Sequence, residues 1–123
     1  MKVSFVVAVY HNEGAVSKTH EKIQSVFASD LPQHDYEIVF VDDGSKDGSL
    51  REILSLREQD SRVKVITFTR NFGQMAAMLA GFNEATGDAV INISADLQDP
   101  VELIPQMVEK WQGGAETVIC YRT

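Results

Sequence analysis

Four times in this chain a short apolar run, rich in β-branched residues, ends in a polar turn and gives way to a stretch with helical spacing. Val3 to Val9 is the first run, Tyr36 to Val41 the second, Val63 to Phe68 the third and Ala89 to Ile93 the fourth, with Thr117 to Tyr121 a shorter fifth. Runs that stay apolar, rather than alternating with polar residues, mark strands covered on both faces. After Gly14 the positions Val16, Thr19, Ile23, Val26 and Phe27 recur at helical spacing until Leu31-Pro32. Ser49-Leu50-Arg51-Glu52 has the form of a capping box at the head of a helix through Leu50, Ile53, Leu54 and Arg57. Met75, Met78, Leu79 and Phe82 make a third helical face before Gly87, and Asn71-Phe72-Gly73-Gln74 reads as its capped start. Asp99-Pro100-Val101-Glu102 supplies an N-cap acid, a first-turn proline and a third-position acid, so a fourth helix runs through Leu103, Ile104, Met107, Val108 and Trp111 to Gly113-Gly114. Strands and helices alternating through short connections imply right-handed crossovers, and hence an α/β fold: a parallel sheet flanked by helices.

A chain of 123 residues, 44% of them hydrophobic, suffices for one domain with its own core. Eighteen acidic residues against 11 basic ones give a net charge of −7, which opposes nonspecific attraction to nucleic-acid phosphates, and no nucleic-acid partner is expected. A phosphate-bearing ligand would need a cation or local N–H donors. The single cysteine, Cys120, falls in the fifth run, reads as a small core residue and excludes an internal disulfide. A cytoplasmic setting fits the lone cysteine, and apolar runs such as Phe5 to Val9 are too short to span a bilayer.

In a parallel sheet every strand-to-helix loop leaves from the same edge, the carboxyl end of the strands, which is where such sheets bind ligands. That edge should gather Tyr10 to Glu13, Asp42 to Ser45, Arg70 to Gly73 and Ser94 to Asp99. Asp96 and the amide oxygen of Gln98 suit a hard cation such as Mg2+ or Mn2+, which takes oxygen ligands and is commonly held by one or two carboxylates plus substrate phosphates. They serve equally as a capped turn and a solvated amide. Asp99 fits a helix N-cap better than a catalytic role. Asp42-Asp43-Gly44-Ser45 suits a tight turn, yet two adjacent acids repel, and a carboxylate there could accept from a nucleobase or a ribose hydroxyl. Arg70 could reach a phosphate or lie on the surface, and a lone loop histidine such as His11 is ordinarily solvated; His20 and His34 carry no signal. No Cys/His metal spacing, Walker-type glycine loop or Ser-His-Asp set is visible.

Four blocks, Val7-Ala8-Val9-Tyr10-His11-Asn12-Glu13, Val41 through Ser49, Arg70-Asn71-Phe72-Gly73 and Ala95 through Pro100, resemble glycosyltransferase family 2, and most closely its polyprenyl-phosphate sugar transferases of the dolichyl-phosphate mannosyltransferase and bactoprenol glucosyltransferase type. The resemblance covers the whole chain but only the amino-terminal, nucleotide-binding part of the family's catalytic domain. It implies the family's Rossmann-like GT-A fold and a nucleotide-sugar donor, UDP- or GDP-linked, bound through Mg2+ or Mn2+. By motif match Ala8, Tyr10 and Glu13 would contact the nucleoside, Val41 and Asp43 would hold the base, Ala95 would lie against the nucleotide, and Arg122 would approach the donor phosphates. Asp96 and Gln98 fall on metal positions, with Asp96 the catalytic carboxylate. The implied reaction is inverting transfer to a polyprenyl phosphate, in a longer protein at the cytoplasmic face of a membrane. The acceptor-binding segments of relatives lie beyond Thr123, so residues 1–123 should form one domain, truncated at its carboxyl end, that binds donor without transferring it. An apolar patch near Thr117 to Tyr121 would then be exposed, which allows a homo-oligomer.

The chain departs from the family pattern where Ser94 replaces the first acid of the Asp-x-Asp motif, where Ala8 replaces a common proline, and where His11 lengthens the first loop by one residue, which affects the placement of Glu13. Two rival readings share the fold class. One is a scaffolding domain that keeps nucleotide binding without transfer; the other is a signalling receiver, which would need an acceptor Asp where Thr69-Arg70 stands and a Lys where Tyr121-Arg122 stands.

Overall fold

The computed structural model describes residues 2–95 and 104–112. In chain order the elements are β1 (Lys2–Val9), α1 (Ala15–Asp30), β2 (Asp35–Asp42), α2 (Ser49–Gln59), β3 (Val63–Thr67), α3 (Gln74–Glu84), β4 (Ala89–Ser94) and α4 (Ile104–Gln112). All strands pair parallel, in the order β3-β2-β1-β4. That is the Rossmann-type order, with β1 flanked by β2 and β4; a receiver would set β1 between β2 and β3, so its topology is excluded. The expected fifth strand over Thr117 to Tyr121, the apolar patch there, and the Asp99 cap lie outside the described residues.

The apolar runs became strands because both faces are covered. Val3, Phe5, Val7 and Val9 join Tyr36, Ile38 and Phe40 beneath α1, α2 and α4, which contribute Val16, Ile23, Phe27, Ile53, Leu56, Ile104 and Val108. On the opposite face Val39 and Val41 pack against Ala77 of α3. Gly81 lets α3 approach closely, since a Cβ there would sit 2.3 Å from Val6 Cγ1 and 3.3 Å from Val41 Cγ2. The outward side of α3 is also apolar: Met75, Leu79 and Phe82 are exposed, as is Val90 on β4.

The amino-terminal edge of the sheet is closed by one buried carboxylate. Glu37 accepts from Lys64 Nζ at 2.7 Å, Ser4 Oγ at 2.5 Å and the Thr86 backbone N–H at 2.6 Å. Burial alone would raise its pKa, but the hydrogen bonds from Lys64, Ser4 and Thr86 outweigh it and hold it at about 2. The turn into β4 is fixed at the same place, with Gly87 N–H on Ser4 Oγ and Asp88 N–H on the Lys2 carbonyl.

Candidate functional site

At the carboxyl edge, three loops meet around a cavity of about 410 Å³ lined by Ala8, Val9, Tyr10, Asn12, Asp43, Asn71, Gly73 and Gln74. The register explains the meeting: Ala8 is level with Val41, and Asp42 with Thr67, so β1, β2 and β3 end together.

The two adjacent acids at the end of β2, its last residue Asp42 and the following Asp43, have different partners. Asp42, 1% exposed, accepts the Ser45 N–H at 3.3 Å through Oδ2, and its Oδ1 has no partner among the described residues. Asp43, 3% exposed, is on the cavity side. Its Oδ1 accepts the Phe72 N–H at 2.7 Å; its Oδ2 accepts the Gly73 N–H at 3.1 Å and Asn71 Nδ2 at 3.1 Å. Asn71 Nδ2 also donates to the Asp43 carbonyl, so the whole Asn71–Gly73 loop hangs on this residue. Asn71 is therefore not the cap of α3; the N-cap is Gly73, with φ 102 and no side-chain cap bond. Gly44 makes the approach feasible: it has φ 75, and a Cβ there would lie 2.4 Å from the Arg70 carbonyl carbon. Arg70 stacks its guanidinium over Phe72, 4.7 Å from the ring centroid.

The first loop is pinned by the loop and first turn of the next βα unit. Consecutive backbone N–H groups of His11, Asn12, Glu13 and Gly14 donate to Ser45 Oγ, Ser49 Oγ, Asp47 Oδ2 and Glu52 Oε1. Glu52 also accepts the Ser17 N–H at 2.9 Å, so it caps α1 rather than closing a capping box on its own helix. The reciprocal cap comes from Glu13, whose Oε1 accepts the Gly48 N–H at the head of α2. These charges favour helix amino ends, where unpaired N–H groups cluster. Asp47 is held below the usual carboxylate range, first by the Ser49 hydroxyl and further by the backbone N–H groups of Ser49 and Glu13 and by nearby His11.

Of the residues singled out from sequence, Ala8, Tyr10 and Asp43 line the cavity together. Glu13 does not: its carboxylate is turned to α2. Val41 is fully buried beneath α3, and Ala95 is buried in the main core cluster. Asp96, Gln98 and Arg122 lie outside the described residues. Among the described residues no group of three or more His, Cys, Asp or Glu could hold a metal ion, and no helix is long and apolar enough to cross a membrane. Sequence reasoning placed Asn12 at this edge without a role of its own, and missed Gln74 on the cavity wall and His20, buried on α1, whose Nε2 lies 2.8 Å from Asp60 Oδ2. Only helical spacing, which puts His20 one turn from Val16 and Ile23, could have flagged the last. A larger groove of about 790 Å³ runs between α1 and α2, lined by Ser17, His20, Glu52 and Leu56 among others. Two of its acidic groups, Glu13 and Glu52, are engaged in the helix caps, and it gathers residues of the first two βα units alone, whereas the smaller cavity also draws on the Asn71–Gly73 loop, so the smaller cavity is the better site.

The sequence profile of the family described as "Glycosyl transferase family 2" matches residues 4–123. A prophage bactoprenol glucosyl transferase homolog of Escherichia coli strain K12 is 44% identical over 123 residues, covering 100% of this chain and 40% of the relative; a bactoprenol glucosyl transferase of Shigella phage SfX gives the same figures. This chain thus spans about 40% of the length of the curated relatives it matches. Among solved structures, a mannosyltransferase from Pyrobaculum calidifontis in complex with GDP-Man and Mn2+ superposes with a TM-score of 0.73 at 25% identity, over 94% of this chain and 33% of that one.

Proposed function

The chain belongs to glycosyl transferase family 2, and from that membership we propose that it is the donor-binding part of an inverting transferase that passes a sugar from a nucleoside diphosphate to a polyprenyl phosphate. The observation that carries the reading is the cavity itself: Ala8, Tyr10 and Asp43, drawn from two separate sequence blocks, line one pocket at the carboxyl ends of parallel strands. The names of the bactoprenol relatives support the lipid acceptor, and the GDP-Man and Mn2+ of the mannosyltransferase structure support the donor class and a divalent ion.

In this reading Tyr10 offers an aromatic face to the base, while Asn12, Asn71 and Gln74 offer amides whose donors and acceptors can match its edge. Both Asn71 Nδ2 bonds go to Asp43, which leaves the Asn71 amide oxygen to accept. Asp43 already receives three N–H donors on its carboxylate, so its main contribution is to hold this wall rigid, with one lone-pair direction left for the ligand. Asp96 and Gln98 follow β4, which ends level with Ala8, and their oxygens are the donor set a hard cation takes. Such a cation would neutralise the leaving diphosphate. The acceptor phosphate oxygen is already anionic and attacks the anomeric carbon as the bond to the diphosphate breaks, so the displacement needs no protein base. Transfer further requires acceptor residues in the part of the relatives' length this chain does not span, with both partners in near-attack geometry.

Thermal-shift measurement against a panel of UDP- and GDP-sugars, with and without Mn2+, tests the reading. At least one donor should raise the melting temperature, more with the ion than without, because a ligand that binds only the folded state stabilises it in proportion to its affinity. No shift with any nucleotide would reject it.

A further inference from the structure

We propose that His11 is a positioning residue for nucleoside binding: it backs the Tyr10 ring and turns it into a preformed stacking platform. The inference rests on the donor-binding reading above and adds to it a residue of the first loop.

The Tyr10 and His11 rings are stacked, with centroids 4.0 Å apart and planes 27° from parallel. Neighbouring side chains do not stack on a regular strand, where they point to opposite faces. Here they can because His11 has φ 53, the left-handed region that histidine enters more readily than most residues. That turn is fixed at both residues: the Tyr10 N–H donates to Asn12 Oδ1 at 2.9 Å and the His11 N–H to Ser45 Oγ at 3.0 Å. Asn12 is itself anchored through its own N–H on Ser49 Oγ, so three consecutive residues are tied down by side chains. The outcome is an aromatic ring with one face covered by imidazole, still 45% exposed and lining the cavity.

An unsupported tyrosine on a loop samples several rotamers, and a base that stacks on it must first select one. With His11 behind it that selection is already made. A planar base laid on the open face of Tyr10 completes a three-layer stack of base, phenol and imidazole, and sequence-tolerant stacking of this kind is available to any nucleobase. The arrangement gives His11 a role other than the solvated loop histidine expected for its type.

The experiment is a double-mutant cycle read by calorimetry on the 123-residue chain, with UDP and GDP as probes in the presence of Mn2+. His11→Gly retains the backbone turn and removes the ring; His11→Phe restores an aromatic ring without the imidazole. Using the nucleotide that the parent binds better, His11→Gly should weaken affinity about threefold to tenfold, the size of an aromatic pair contribution, at a melting temperature close to the parent's. His11→Phe should recover most of the loss. In a Tyr10→Ala background His11→Gly should change nothing, because its effect runs through the tyrosine ring. Equal affinity of His11→Gly and parent overturns the proposal, as does an undiminished loss in the Tyr10→Ala background. If the parent binds neither nucleotide, the donor reading fails first and the platform with it.

Discussion

Asp43 Oδ2 accepts the backbone N–H of Gly73 at 3.1 Å, across 30 residues of sequence, and so couples the end of β2 to the start of α3. With the companion bonds to Phe72 N and Asn71 Nδ2, one buried carboxylate sets the position of a whole wall of the cavity. Its importance to ligand binding and its importance to folding are then the same fact.

Asp43→Ala should therefore cost stability as well as affinity. Removing the carboxylate leaves the N–H groups of Phe72 and Gly73 without their acceptor, at about 1.5–3 kcal/mol for charge-assisted bonds. Denaturant unfolding should show a lower midpoint, and nucleotide titration a weaker fit, in the same protein. Asp43→Asn should fare little better, because an amide NH2 would oppose either Asn71 Nδ2 or a backbone N–H. Unchanged stability with lost binding would assign Asp43 to the ligand alone.

Glu13→Ala separates two roles. The carboxylate caps α2 through Gly48 N–H, so the expected loss is about 1 kcal/mol of stability, in the range of a helix cap. Nucleotide affinity should fall less than it does for Tyr10→Ala. A larger affinity loss in Glu13→Ala, at an unchanged melting temperature, would restore the nucleoside contact that the family resemblance implies.

Glu37 makes folding sensitive to acid. Its folded pKa of about 2 lies below the ordinary 4.5, so its stabilisation is fully present above that ordinary value and disappears as pH falls toward 2. The contribution at neutral pH is about 3 kcal/mol, from 1.36 kcal/mol per pKa unit. Asp35, Asp47 and Asp60 are also lowered and add to the same acid limb. Unfolding free energies of parent and Glu37→Gln should converge between pH 4.5 and pH 2; a constant gap across that range would contradict the assignment.

Gly81→Ala should destabilise, although replacing glycine inside a helix ordinarily gains about 1 kcal/mol. The new methyl would press on Val6, which is fully buried and has nowhere to move. Overpacking of this kind costs about 1–3 kcal/mol. Denaturant titration decides the sign.

The strands and helices were legible because each rests on a local pattern. Val3 to Val9 had to be covered on both faces, and Met75 to Phe82 had to be helical, whatever the rest of the chain did. The cavity was legible as an edge, since β1, β2 and β3 are parallel and end level with one another. The roles of particular acids were not. Ser49 to Glu52 matches a capping box, yet Glu52 finds Gly14 and Ser17 on another helix, and nothing in a one-dimensional pattern tells a local N–H from one 35 residues away. Adjacent acids at Asp42 and Asp43 gave no sign of how they divide their work: Asp42 accepts the Ser45 N–H, while Asp43 holds the Asn71–Gly73 loop. Asn71 looked like a cap because it precedes a helix, but it serves Asp43 across the sheet edge.

The central claim is that the Tyr10–Asp43 cavity takes the nucleoside of a donor whose diphosphate is held by a cation at Asp96. Calorimetric titration of UDP or GDP into parent and Asp96→Asn, each with and without Mn2+, tests it most directly. The account predicts that Mn2+ tightens binding by the parent, that Asp96→Asn binds equally with and without the ion, and that both proteins melt at the same temperature. Identical metal dependence in parent and mutant would contradict it.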